Sequence, residues 1–307
     1  MPAARPGRAV GPSPAWARAA RTLVRIQRDR QRGAGALARA TIRLLETALT
    51  ADRTAVYGRR ELLRLARSVA RAQPAMGAFR RWSMELAARA RGPRHQRTAR
   101  ALRRWARGER RRLAAETGRA VAIAAREFPP TERVVTISRS ETVRRLLAGL
   151  SAGRRPREVR VLRSRPGGEG SLQAAALRRA GLRAHVVEDA AADGAVADAD
   201  LVVIGADTVY RDRSVVHKVG TRALALAAYR RRVPVAVVAG RSKFVDAAPP
   251  RRGPVGPFDR TPARLLSVIW SGEGVVRPSE RSRAWPRADR SRTFTGAARV
   301  RGPRRRA

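Results

Sequence analysis

The sequence predicts an α/β protein, with a helical N-terminal domain followed by a Rossmann-like parallel-sheet C-terminal domain. Three observations carry this. Before residue 128, apolar side chains recur at helical spacing; from Val134 the pattern becomes short β-branched runs separated by helical stretches; and the change falls at Pro129-Pro130, where a helix must stop.

The segment Met1 to Trp16 is rich in Arg, Pro and Ala and has no continuous apolar run, so it reads as neither a secretory signal nor an anchor. Leu37, Thr41, Leu44, Leu45 and Ala48 then share one helical face, and Leu62, Leu65, Ala66 and Val69 another. Alanine and arginine, both good helix formers, fill the remaining positions. The pattern predicts about five or six helices in a domain spanning 1–128. The last of them runs from about Glu109 to Phe128, with Leu113, Val121, Ala124 and Phe128 facing inward.

Strands are expected at Val134–Ile137, Val159–Leu162, Ala184–Val187, Leu201–Ile204 and Val235–Ala239. Runs this short and apolar on both faces suit a parallel sheet covered by crossover helices, in a domain spanning 129–278. After Pro278 the composition changes again. Ten Arg against one Glu and one Asp, with no apolar period, predict a disordered basic tail over 279–307.

Net charge is +44, yet the arginines are spread along nearly the whole chain and aromatics make up only 4% of it. Base-stacking platforms are scarce, so the charge reads as composition, with non-specific nucleic-acid adhesion through the basic tail as its physical consequence. Cysteine is absent, which excludes disulfides, thiolate nucleophiles and thiolate metal sites. His95, His185 and His217 have no metal-ligand spacing, and no metal or cofactor is expected. No run approaches the length of an apolar membrane span, and a cytoplasmic location is the expectation.

Only two of the 68 basic residues are lysine, Lys218 and Lys243. In a chain that otherwise replaces lysine by arginine, a retained lysine marks a place needing a compact, rotatable ammonium rather than a planar fork. In an open parallel sheet, ligands bind outside the carboxyl ends of the strands. The residues just past the expected strands are Ser138-Arg139-Ser140, Ser164-Arg165, Asp207, and Arg241 with Lys243, a polar set suited to an oxyanion.

The stretch GADTVYRDRSVVHKVGTRALALAAYRRRVPVAVVAGRSKF, Gly205 to Phe244, resembles the signature of a family that joins the alpha, beta and delta regulatory subunits of eukaryotic initiation factor 2B with ribose-1,5-bisphosphate isomerase and methylthioribose-1-phosphate isomerase. RGAG at Arg32 to Gly35, TISRSETV at Thr136 to Val143, SRPGGEG at Ser164 to Gly170 and PFDRTPARLLSVIWSGEGVVRP at Pro257 to Pro278 agree in order. The resemblance covers roughly residues 20 to 278. It implies a ligand in the cleft between a helical and a Rossmann-like domain, and a homodimer or higher homo-oligomer formed through the second. It further implies a phosphate held by Arg32, Gly33, Ala34 and Gly35, with Arg71 as an added contact. Asp207 then matches the aspartate of the isomerases' acid/base pair, and Arg139, Ser140, His217, Lys218 and Lys243 fall among the substrate-binding positions.

Two departures matter. Ser138 stands at the cysteine position of the isomerases, and a hydroxyl cannot serve as a free base without a partner to take its proton. His217-Lys218 stands where the family has Asn-Lys, exchanging a neutral amide for a titratable ring. Ser138, Ser140 and Thr142-Val143 instead look like the regulatory-subunit version of that motif. The expected function is binding of a phosphorylated ribose or nucleotide without cysteine-dependent isomerisation. The alternatives are an active aldose–ketose sugar-phosphate isomerase in which Asp207 and His217 act without the thiol, and a regulatory or interaction subunit of the translation-initiation-factor type.

Overall fold

The computed structural model describes residues 14–278 apart from 30–31, 50–53, 252 and 254–255. The basic segment 279–307 and most of Met1 to Trp16 lie outside the described residues.

The chain first forms α1 (Pro14–Arg28), α2 (Ala34–Ala48), α3 (Arg59–Ala72), α4 (Gly77–Arg91) and α5 (Ala99–Glu127). Leu37, Thr41, Leu45 and Ala48 of α2 are buried, with Leu44 at the edge, and so are Leu62, Leu65, Ala66 and Val69 of α3. Phe79 and Trp82 of α4 complete this helical core without any exposure. The Trp82 indole N–H donates to Glu109 at 2.8 Å, which satisfies the one polar atom that such a large buried ring brings with it.

Helix α5 is longer than the sequence pattern predicts. It starts at Ala99, where the Thr98 hydroxyl accepts the Ala101 amide at 3.2 Å as an N-cap. Its first turns, rich in arginine, bury only Ala99, Leu102, Trp105 and Ala106, so polar residues mask the period there. Leu113, Ala124 and Phe128 are buried as expected, whereas Val121 is only half-buried at the rim of the sheet core.

The second half alternates: β1 (Arg133–Ile137), α6 (Glu141–Gly149), β2 (Glu158–Leu162), α7 (Glu169–Arg179), β3 (Ala184–Val187), α8 (Ala192–Val196), β4 (Leu201–Ile204). A short hairpin of β5 (Thr208–Val209) and β6 (Val215–Lys218) follows, then α9 (Thr221–Arg230), β7 (Val235–Ala239), β8 (Phe258–Thr261), β9 (Val268–Ser271) and β10 (Gly274–Val276). All five expected strands are present. A seven-stranded sheet has the order β10-β9-β7-β4-β1-β2-β3, parallel except for β10, while β5-β6-β8 form a separate antiparallel sheet. This is an α/β fold with a helical N-terminal part. No helix among the described residues is long and apolar enough to cross a membrane.

One face of the large sheet packs against α6, α7 and the end of α5, the other against α8 and α9. From β1 the chain runs one way to β2 and β3, then returns to β4 on the opposite side and continues to β7 and β9. The order reverses between β1 and β4, and the diverging connections there open a crevice at the carboxyl ends of those strands.

Candidate ligand-binding site

At that crevice a cavity of about 70 Å³ is enclosed by both halves of the chain. Of the residues singled out from the sequence, Arg32, Gly33, Ala34, Gly35, Ser138, Arg139, Ser140, Asp207, His217, Lys218 and Lys243 all line it. Arg71 does not. It sits in the last turn of α3 on the side opposite Leu62, exposed to solvent; Gln73, just past the helix, reaches the cavity in its place. The residues after β2 and the first after β7 are also diverted. The Ser164 and Arg165 amides donate to Asp189 at 2.8 and 2.6 Å, and Arg241 pairs with Glu273 at 3.0 Å.

The helical part contributes the start of α2. Gly33 is its N-cap and brings no side-chain cap, so the first amides of a 15-residue helix meet the cavity with the positive end of the helix dipole. Glycine is required here by proximity. A Cβ on Gly33 would lie 2.2 Å from the Arg139 carbonyl oxygen, so the α2 start and the β1–α6 loop touch backbone to backbone. Arg32 is drawn to Asp29, its Nε 2.6 Å from the carboxylate.

On the sheet side, Ser138 turns the chain out of β1 with a left-handed φ of 65°, a conformation that costs a residue with a Cβ roughly 1–2 kcal/mol. Ser140 caps α6 by accepting the Val143 amide and lies 3.0 Å from the Thr142 hydroxyl. Asp207 follows β4, its amide bonded to Val216 and its carbonyl accepting from Gly77 at the start of α4. Thr208 adds a bond to Ala75 at 2.8 Å, so the aspartate is held by both halves.

His217 and Lys218 end strand β6 and are both buried. The Thr221 hydroxyl donates its only proton to the Lys218 carbonyl at 2.6 Å, so the His217 Nδ1 at 3.2 Å is the donor in that pair. The ring is therefore the Nδ1–H tautomer, with a lone pair on Nε2. Nε2 stands beside Gly205, where an added Cβ would lie 3.3 Å from it and 2.4 Å from the Ser140 hydroxyl oxygen. Burial pushes the ring below its ordinary 6.5; Asp207 opposes this, and Lys218 and Lys243 reinforce it.

The two lysines differ sharply. Lys218 Nζ is 2.5 Å from Glu169 at the start of α7 and 5.5 Å from the centre of the Phe258 ring. Lys243, in a 3-10 turn at Arg241–Lys243, has an ammonium closed off from water that makes no hydrogen bond among the described residues. Burial lowers its pKa, with the Asp207 charge resisting and Arg39 adding to the depression. Glu169 was present in the SRPGGEG segment, but nothing in the one-dimensional pattern indicated that it would meet a lysine 49 residues away. Gln73 and Arg39 carried no signal of their own. Among the described residues, no three acidic or histidine side chains are arranged to hold a metal ion.

The geometry can hold a small polar ligand between helix amides, hydroxyls, a carboxylate, an imidazole lone pair and an amine. The sequence model of a family described as the Initiation factor 2 subunit family matches residues 30–253. A ribose 1,5-bisphosphate isomerase of Archaeoglobus fulgidus is 39% identical over 87 residues, covering 28% of this chain and 28% of that protein. The chain thus spans under a third of that relative's length in the match. In fold, it is similar to a translation initiation factor eIF-2B of Pyrococcus horikoshii OT3, with a TM-score of 0.72 at 24% identity over 88% of this chain and 99% of that one. It is also similar to a chain of the tetrameric eIF2B-beta2-delta2 complex from C. thermophilum, with a TM-score of 0.69 at 19% identity over 86% and 92%.

Proposed function

The chain belongs to the Initiation factor 2 subunit family, and from that premise we propose that it binds a phosphorylated ribose or nucleotide in the cleft between its helical and sheet-bearing halves, without cysteine-dependent isomerisation. The observation that carries this reading is Lys243. A buried amine with no hydrogen-bond partner, facing Asp207 across a polar cavity at the strand-order reversal, is costly for a scaffold and useful to a ligand. Ser138 supplies a hydroxyl where the resemblance has a thiol, which removes the group that could reach a working thiolate near neutral pH.

Thermal-shift titration with ribose 1,5-bisphosphate, methylthioribose 1-phosphate and nucleoside monophosphates tests the proposal. A rise in Tm with one of them, diminished in Lys243→Ala and Asp207→Asn, is expected. No rise with any of them overturns it in favour of an interaction subunit.

A second reading is favoured by the fixed tautomer of His217. Its free Nε2 lone pair and the Asp207 carboxylate line one cavity, so proton transfer at a bound aldose can proceed without a thiol. Exchange of substrate hydrogen with deuterated solvent, lost in His217→Asn, distinguishes this from binding alone.

The same proposal takes 1–128 and 129–278 as the two domains and 279–307 as an arm, and places the protein in the cytoplasm as a homodimer or larger homo-oligomer. The fold similarity to a chain of a tetrameric complex supports assembly into an oligomer. If 279–307 is the electrostatic arm, its deletion lowers RNA adhesion and flattens the salt dependence.

A further inference from the structure

Most charges of the inner cavity are already engaged. Lys218 is paired with Glu169 at 2.5 Å and Arg32 at the rim with Asp29 at 2.6 Å, while Lys243 forms no ion pair and feels Asp207 only through its field. The space is also small, about 70 Å³. A phosphate dianion placed there would compete with Glu169 and Asp29 for their partners and find a single unpaired amine, Lys243.

Beside it opens a second space of about 420 Å³, between the first turns of α2, the β1–α6 loop and α7. Gly33, Arg39, Arg139 and Glu141 line both, so the two adjoin. Arg144 and Arg179 add two further guanidinium groups to the outer groove. Its one carboxylate, Glu141, is occupied by Arg144 through bonds of 2.8 and 3.1 Å. Arg39, Arg139 and Arg179 have no carboxylate partner among the described residues, although 18 ion pairs form among those residues, Arg144–Glu141 included. Three such arginines therefore share one concave surface at a helix N-terminus.

Resting on the sugar-phosphate reading above, we propose that the ligand's anionic group docks in the outer groove against Arg39, Arg139 and Arg179, and that the inner cavity receives its uncharged polyol end. Planar guanidinium forks hold a phosphate through paired N–H···O bonds, and the α2 dipole adds to their field. Inside, Ser138, Ser140, Asp207 and His217 offer the donor and acceptor mix that sugar hydroxyls need. Arg39 joins the two spaces, lining both and lying close enough to Lys243 to depress its pKa.

Calorimetric titration of the full chain with ribose 5-phosphate, ribose and inorganic pyrophosphate tests this. Three proteins are compared at one salt concentration: wild type, the triple variant Arg39→Gln/Arg139→Gln/Arg179→Gln, and a charge control, Arg230→Gln/Arg232→Gln/Arg264→Gln, whose exposed arginines line neither space. The double variant Arg139→Gln/Arg179→Gln, at two exposed positions, covers the case in which loss of the half-buried Arg39 impairs folding. The expected result is a roughly tenfold or greater loss of affinity for ribose 5-phosphate and pyrophosphate in the groove variants, against little change in the control. Equal losses in the control overturn the inference. So does unchanged ribose 5-phosphate binding in the groove variants together with its loss in Lys218→Met, an outcome that leaves the sugar-phosphate reading standing. Groove-dependent pyrophosphate binding without any ribose 5-phosphate binding upholds the anion site and removes the sugar-phosphate reading.

Discussion

Glu116 of α5 accepts the backbone N–H of Ser242 at 2.6 Å, fastening the middle of the long helix to the turn that carries Lys243. Glu116 is buried and also takes the Arg112 Nε at 2.7 Å, so each of its oxygens has one donor. The cavity's unpartnered amine is thus positioned from the helical half, though it belongs to the sheet-bearing half.

Glu116→Ala is expected to strand the buried Ser242 amide, at a cost of about 1–3 kcal/mol in urea unfolding. Glu116→Gln keeps an acceptor oxygen and should lose clearly less. Equal losses in the two variants would mean that the contact contributes through charge and not through the amide bond.

His217 gives stability a pH dependence whose sign follows from burial. Its folded pKa lies below the ordinary 6.5, so between the two values the unfolded chain binds the proton and the folded chain does not. Stability therefore falls as pH drops below about 6.5 and levels off only once the folded ring is protonated. His217→Asn should flatten the dependence of Tm on pH over that interval; an unchanged slope would assign it to other groups.

Ser138 and Gly33 probe the backbone geometry that shapes the cavity. At φ 65°, Ser138→Gly should be neutral to mildly stabilising, since relief of roughly 1–2 kcal/mol is only partly offset by about 0.4–1 kcal/mol of added freedom in the unfolded chain. Ser138→Val, β-branched in the same conformation, should be clearly destabilising. Denaturant titration of both variants ranks them.

At Gly33, a methyl group 2.2 Å from the Arg139 carbonyl oxygen must push two backbones apart. Gly33→Ala should cost about 1–3 kcal/mol, as overpacking does. Ribose 5-phosphate affinity should fall with it, because the α2 start and the β1–α6 loop both wall the site. A variant as stable as wild type would show that the loop yields freely.

With only two lysines in the chain, amine-directed labelling reads the cavity and little else. Acetic anhydride should modify the α-amine first, and Lys243, whose ammonium is closed off from water, more slowly. Glu169→Gln should raise the labelling rate of Lys218 by removing its charged partner. Peptide mass spectrometry resolves all three amines.

Much of this architecture can be read in one dimension because burial leaves a periodic mark. The β-branched runs of β1, β2, β3, β4 and β7 are apolar on both faces and bounded by turn-forming residues, so each is visible locally. Strands β5, β6 and β8 are not: Thr208-Val209 is too short to show a period, and His217-Lys218 and Phe258-Asp259 place polar groups on strands that face a ligand space. Ser138–Ser140 and Asp207 could be picked out because they follow strand ends, whereas RGAG at the start of α2 was picked out by the family resemblance alone. The Glu169–Lys218 pair was not legible, since ion pairing between distant segments leaves no local pattern. Arg71, expected from the resemblance, lies on the solvent side of α3, because the last turn of a helix decides which of its residues face inward.

Helix α5 gives Leu102, Trp105 and Leu113 to the helical core, and Ala120, Ala124 and Phe128 to the core beneath the sheet, where Phe128 meets Trp270 at 6.2 Å between ring centres. One 29-residue rod is therefore a structural member of both halves. Severing the chain at the proline pair would leave the sheet with an uncovered aromatic floor, so the two layers should melt in a single calorimetric transition and neither should survive as an isolated fragment.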